Sequence, residues 1–170
     1  MSTKKSKGRK QSTEERHEAL CASDSSAARA FEAGYILDLE PDPDVARMIA
    51  ACLDEHGDIF ELLGVPRPAV VCILGLHRGH LARFVNGTSS DPLIVFDSHA
   101  VKKTAMKYGV LLLDGVESTL LHEYGHVYVE SVGAEPDDEE RIVEAFAKRC
   151  WLGDHEGAVE QLVAEVEGLS

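Results

Sequence analysis

Five residues, His122-Glu123-Tyr124-Gly125-His126, constrain this chain more than any other stretch. On an α-helix, side chains four residues apart lie one above the other, so His122 and His126 can aim ring nitrogens at a common point. Two neutral imidazoles suit a zinc ion, which binds nitrogen at about 2.0–2.1 Å and in catalytic sites takes three protein ligands plus a water. Glu123, beside the first histidine, can then take a proton from that water, whose pKa the metal lowers toward roughly 7. The pattern is short enough to arise by chance, so its surroundings have to support it.

Leu120, Leu121 and Val127 supply an apolar side, and Asp114 followed by Glu117 resembles a capping-box start. Together they predict a helix over about 114–131 with both histidines in its middle. Gly125 costs on the order of 1 kcal/mol relative to Ala inside a helix, which suggests that a neighbour packs close there. After the break at Gly133-Ala134-Glu135-Pro136, a second helix is expected over 137–151, with Ile142, Val143, Phe146 and Ala147 on its apolar side. A short connection makes the two helices antiparallel neighbours. The second then brings Glu140 or Glu144 level with the histidines. These acids are one turn apart on one face, so one can be the third ligand while the other bonds a ligating imidazole.

Glu140-Arg-Ile-Val-Glu144-Ala-Phe146-Ala147 after H-E-x-G-H resembles the gluzincins, metallopeptidases whose third zinc ligand is a glutamate on the following helix. The stretch is most similar to ImmA/IrrE-like peptidases and minimal single-domain gluzincins, and it covers Leu120 to Trp151. The resemblance implies Glu140 as ligand and Glu144 as the orienting acid, although alignment to an E-G-F-A ligand helix would select Glu144. It departs from the family at Val143 and at Lys148-Arg149-Cys150-Trp151. The metzincin pattern does not apply, because Val129 and Val132 stand where its glycine and third histidine belong.

The remaining sequence reads as an α+β domain. Val45, Met48, Ile49, Cys52 and Leu53 follow helical spacing, and Ile59 to Leu63 adds another turn or two. Ala69–Leu74 reads as a buried strand, and Leu81–Val85 and Pro92–Phe96 as a hairpin around Asn86-Gly87. One strand of that hairpin is expected to be a sheet edge above the metal helix, where an extended peptide can add. A helix over about 98–108 capped by His99, a short strand over 110–113, and a final helix carrying Val159, Leu162, Val163 and Val166 complete the reading. Leu37 to Pro43 reads as an extended connection, and residues 13–34 as weakly patterned helix.

A net charge of −13 argues against nucleic acid as partner, since a phosphate-binding face needs clustered Lys and Arg. Such a cluster occurs only at the start, in Lys4, Lys5, Lys7, Arg9 and Lys10, so residues 1–13 are expected to be a disordered basic tail and 14–170 a single domain. Four scattered cysteines without C-x-x-C spacing suggest reduced core thiols, and no apolar stretch of about 18 residues suggests a membrane span, so a cytoplasmic protein is expected. His77 and His80 lack an acid or Cys at ligand spacing and are not expected to form a second metal site. Donors to a substrate's oxyanion are sought among Tyr124, Tyr128 and His155, with Tyr108, His77 and His80 behind them. The expectation is a zincin-like fold, a small mixed sheet packed on helices, holding Zn2+ through His122, His126 and Glu140 or Glu144. Glu123 is the general base toward a peptide or protein substrate. The alternative is a non-proteolytic zincin-fold binding or regulatory module.

Overall fold

Val45, Met48, Ile49, Cys52 and Leu53 form one stripe, and α1 (Pro43–Glu55) turns all five into the core. The computed structural model describes residues 36–38, 43–73, 81–85 and 93–168. The expected tail over 1–13, the weak helix after it, and His77 and His80 lie outside the described residues. A short helix, α2 (Asp58–Leu63), follows α1 and stops at Gly64. There φ is 67°, a left-handed conformation that glycine adopts without a Cβ clash.

The apolar run at Ala69–Ile73 becomes β2, the inner strand between two parallel neighbours, β1 (Ile36–Asp38) and β4 (Leu93–Asp97). The fourth strand, β3 (Ala82–Val85), pairs antiparallel with β4, so the order is β1-β2-β4-β3 and β3 is an outer edge. The segment expected as an extended connection from Leu37 thus overlaps β1 at Leu37 and Asp38. Three residues are too few to display a strand's alternation, and only pairing with β2 makes Ile36–Asp38 a strand.

Asp97 ends β4 and caps α3 (Ser98–Tyr108), its carboxylate accepting a hydrogen bond from the Ala100 backbone N–H at 2.8 Å. His99, expected as the cap, is instead exposed inside the first turn. Gly109 closes α3 with φ 65°, and residues 110–113 do not form the expected strand, because α4 (Leu112–Ser131) has already begun. Its N-cap, Leu111, makes no side-chain cap bond. Asp114 sits in the first turn, where a negative charge meets the positive end of the helix. The capping-box reading fails because Glu117 faces the core and bonds His56.

α5 (Glu139–Trp151) runs antiparallel to α4, since Gly125 meets Val143 while His126 meets Glu139. α6 (His155–Val166) closes the core with Ala158, Val159 and Leu162. The described residues therefore form a mostly helical α+β arrangement with one small mixed sheet. No helix among them is long and apolar enough to cross a membrane. Cys52 and Cys150 are buried, and Cys150 is a free thiol. Burial, with Asp58 and Asp154 nearby, pushes the Cys150 thiol up to about 12, so it stays protonated and unreactive.

Two glycines of α4 separate packing from propensity. A Cβ added at Gly115 would meet Ala105 Cβ and Val101 Cγ1 at 3.7 Å, an ordinary contact, whereas at Gly125 it would lie 2.8 Å from Val143 Cγ1 and 3.0 Å from Cγ2. Valine is stiff on a helix and cannot swing away. Gly115→Ala should therefore stabilise the protein by about 0.5–1 kcal/mol. Gly125→Ala should destabilise it by about 1–2 kcal/mol net, overpacking outweighing propensity. Urea unfolding measures both, and in a Val143→Ala background the Gly125→Ala penalty should vanish. A gain in stability from Gly125→Ala alone would contradict the close packing of α4 on α5.

Candidate metal centre

His122 and His126 lie one turn apart in the middle of α4, and their Nε2 atoms converge to 3.1 Å. Glu140, in the first turn of α5, reaches across to them. Its Oε2 is 3.3 Å from His122 Nε2 and its Oε1 3.6 Å from His126 Nε2. A tetrahedral ion with bonds of about 2.0–2.1 Å holds its ligand atoms about 3.3–3.4 Å apart. Each imidazole meets a different Glu140 oxygen, at separations near that value, so the two rings and the carboxylate are grouped closely enough to hold one ion. Access is open on one side, the Glu140 side chain being 79% exposed.

The third acid in the arrangement is Glu139, whose Oε1 is 2.6 Å from His126 Nδ1. An ionised carboxylate only accepts, so Nδ1 carries the hydrogen and donates it. That assignment leaves the lone pair of Nε2 directed at the common point, the arrangement metal-binding histidines commonly use. Sequence reasoning gave this orienting role to Glu144. Glu144 lies one turn beyond Glu140 on α5, on the wall of a neighbouring cleft and outside the triangle. Glu139 was passed over because it does not share the Glu140–Glu144 face. It reaches His126 from the other side of the ring.

The cleft beside the triangle has a volume of about 690 Å³, within the range of small-molecule and peptide side-chain sites. His122 and Glu123 line its inner end, Leu81 and Ala82 contribute the sheet side, and Val110 and Trp151 flank it from the α3–α4 corner and from α5. Glu123 is buried to 7% exposure, yet borders this space. Lys148 brings a cation to the same wall. Neither Lys148 nor Trp151 was singled out from sequence. Their signal was the helical repeat 140, 144, 147, 148, 151, which carries one face of α5 along the cleft.

Those expected oxyanion donors that are described lie elsewhere. Tyr124 lies two residues from His122 and so on a different face of α4. It is 1% exposed, packs edge-on against Phe60 with ring centroids 4.5 Å apart, and its hydroxyl has no hydrogen-bond partner among the described residues. Burial pushes its phenol well above the ordinary value, Cys52 adding to this and Arg67 opposing it. Tyr128, likewise two residues from His126, is 4% exposed; burial and then Glu167 raise its phenol. His155 opens α6 and bonds Asp58 and His56. Tyr108 is exposed at the end of α3 and does not line the cleft either.

No protein-family model, curated protein or solved structure matches this chain.

The acids of α5 can be ranked by zinc affinity, measured by competition with a chelating dye. Glu140→Ala removes a proposed ligand and should weaken binding most. Glu139→Ala removes only the orienting bond and should cost about 10–100-fold. Glu144→Ala should leave the affinity unchanged. A loss with Glu144→Ala equal to that with Glu140→Ala would reverse the assignment.

Proposed function

We propose that this chain is a zinc-dependent peptidase with a zincin-like fold of gluzincin type, acting on a protein substrate. The observation that carries the reading is the triangle of His122, His126 and Glu140 at zinc-ligand spacing, with the Glu123 carboxylate at the adjoining end of a cleft. A zinc ion held there supplies Lewis acidity toward water and a carbonyl oxygen. Glu123 takes the proton of the attacking water and passes it to the leaving amine. Its burial keeps competing water away while leaving it at the cleft surface.

Substrate binding is supported by the sheet. β3 is an edge strand, and the described residues at its start, Leu81 and Ala82, border the cleft. An extended segment pairing with this edge would hold its backbone beside His122. The short cleft and the ImmA/IrrE-like resemblance both favour a selective enzyme over a general digestive one. The free, buried thiol of Cys150 favours a reducing compartment such as the cytoplasm.

One observation favours the alternative of a zincin-fold binding or regulatory module that cuts nothing. Tyr124, Tyr128 and His155 lie outside the cleft, and among the described residues that line it the donors available to a developing oxyanion are Lys148, the Trp151 indole and the Ser118 and Thr119 hydroxyls.

The two readings part at Glu123. Wild type and Glu123→Gln, matched in zinc content, are incubated with a proteome-derived peptide library and cleavage is read by mass spectrometry. A peptidase should lose about 10²–10⁴-fold in kcat/KM on substitution. Cleavage at undiminished rate in Glu123→Gln would remove Glu123 from the reaction, and full zinc with no cleavage by wild type would favour the binding module.

A further inference from the structure

His56, Glu117, His155 and Asp58 form a second polar cluster, remote from the cleft lining and joined by hydrogen bonds from end to end. Asp58 of α2 holds His155 Nδ1 with oxygens at 2.9 and 3.0 Å. His155 Nε2 meets His56 Nδ1 at 3.0 Å, and His56 Nε2 meets Glu117 Oε1 at 2.8 Å. The path runs from the surface inward, Asp58 being 55% exposed as a side chain while His56 and Glu117 are 2% and 1% exposed as residues. It ties the α1–α2 corner and the start of α6 to the helix that carries His122 and His126.

Each of these contacts needs one proton between its two heavy atoms. Three contacts need three protons, yet two neutral imidazoles bring two N–H groups and two ionised carboxylates bring none. With only two protons, one contact would set a ring lone pair against another acceptor. At the buried end, that would leave His56 Nε2 facing the Glu117 carboxylate without water. A metal ion could supply the missing positive charge, and Glu55 offers a further oxygen within 4.8 Å of the other two donors. The separation decides between them: 2.8 Å is a hydrogen-bond length, shorter than the roughly 3.3 Å between atoms that share a zinc ion.

We propose that Asp58, His155, His56 and Glu117 form a proton-retaining brace, which folds with one proton more than its four groups carry in the unfolded chain at neutral pH. The charged groups around it favour that proton. Glu55 faces His56 and Glu117 from α1, and Asp154 faces His155 at the start of α6. Asp154 is paired with Arg149 of α5, the Cys150 thiol lies toward Asp58, and the Arg67 guanidinium lies against Gly57. Acids therefore outnumber bases at both ends of the chain of bonds among the described residues. The inference stands independently of the zinc and peptidase readings.

Stability against pH tests it in metal-free protein. A folded state that binds one proton more than the unfolded state loses stability as pH rises, beginning where the unfolded imidazole deprotonates, near pH 6.5. In Glu117→Gln the amide donates to His56 Nε2, so the brace is complete without the extra proton. The folding equilibrium constant of wild type should therefore fall about tenfold per pH unit relative to that of Glu117→Gln between about pH 7 and 8. His56→Gln, whose amide can likewise donate to Glu117, should lose the same slope and serves if the first variant does not fold. Asp58→Asn can donate its amide to His155 Nδ1, which completes the line of bonds with two neutral rings, so it should lose the slope as well. Equal slopes in wild type and the glutamine variants would overturn the proposal. So would one equivalent of zinc bound by His122→Ala protein and released by adding His56→Gln.

Discussion

The approach of α4 and α5 at Gly125 and Val143 is the contact on which the candidate centre depends. Val143 occupies the space a Cβ of residue 125 would need, and this lets α5 lie close enough for the carboxylates of Glu139 and Glu140 to reach the two imidazoles. Neither helix has a donor set alone. α4 offers two nitrogens 3.1 Å apart, and α5 offers acids that without α4 would be solvated. The antiparallel turn at 132–138 fixes which acids meet which histidine, because each step down α4 is matched by a step up α5.

The two histidine clusters use the same kinds of side chain in different arrangements, a triangle in one and a line in the other. In the first, two imidazoles and a carboxylate stand 3.1–3.6 Å from one another around a shared point, close to the edges of a tetrahedron. In the second, atoms meet in pairs at 2.8–3.0 Å along a line, which is the geometry of proton sharing. Both are anchored on α4, Glu117 on its buried side and His122 on the side toward the cleft. One helix thus carries a polar brace on one face and the candidate centre on another.

Much of the local structure was legible because it follows from periodicity. The stripe from Val45 to Leu53 and the spacing of Ile142, Val143, Phe146 and Ala147 each bury one side as expected, and in the apolar run at Ala69–Ile73 Val70 is fully buried and Ala69 half-buried. Errors came where a partner outside the segment decided the outcome. Ile36–Asp38 is a strand only through pairing with β2. Glu117 looked like a capping residue because its neighbours in sequence allow that role, whereas its partner, His56, is 61 positions away. Tyr124 and Tyr128 were placed near the chemistry by closeness in sequence, although two residues along a helix is a turn of about 200° away from the histidines.

By itself, the sequence determined that His122 and His126 share a helix face with Glu123 beside the first, since a 3.6-residue repeat leaves no other arrangement once the helix forms. It also narrowed the third partner to one face of the next helix. Only the tertiary structure decided that Glu140 completes the triangle, that Glu139 holds His126, that Glu144, Lys148 and Trp151 face the cleft, and that His155 belongs to a buried chain of hydrogen bonds. Those choices depend on the distance and roll between two packed helices, which are set by the absence of a side chain at Gly125 and by contacts across the core. No local repeat encodes them.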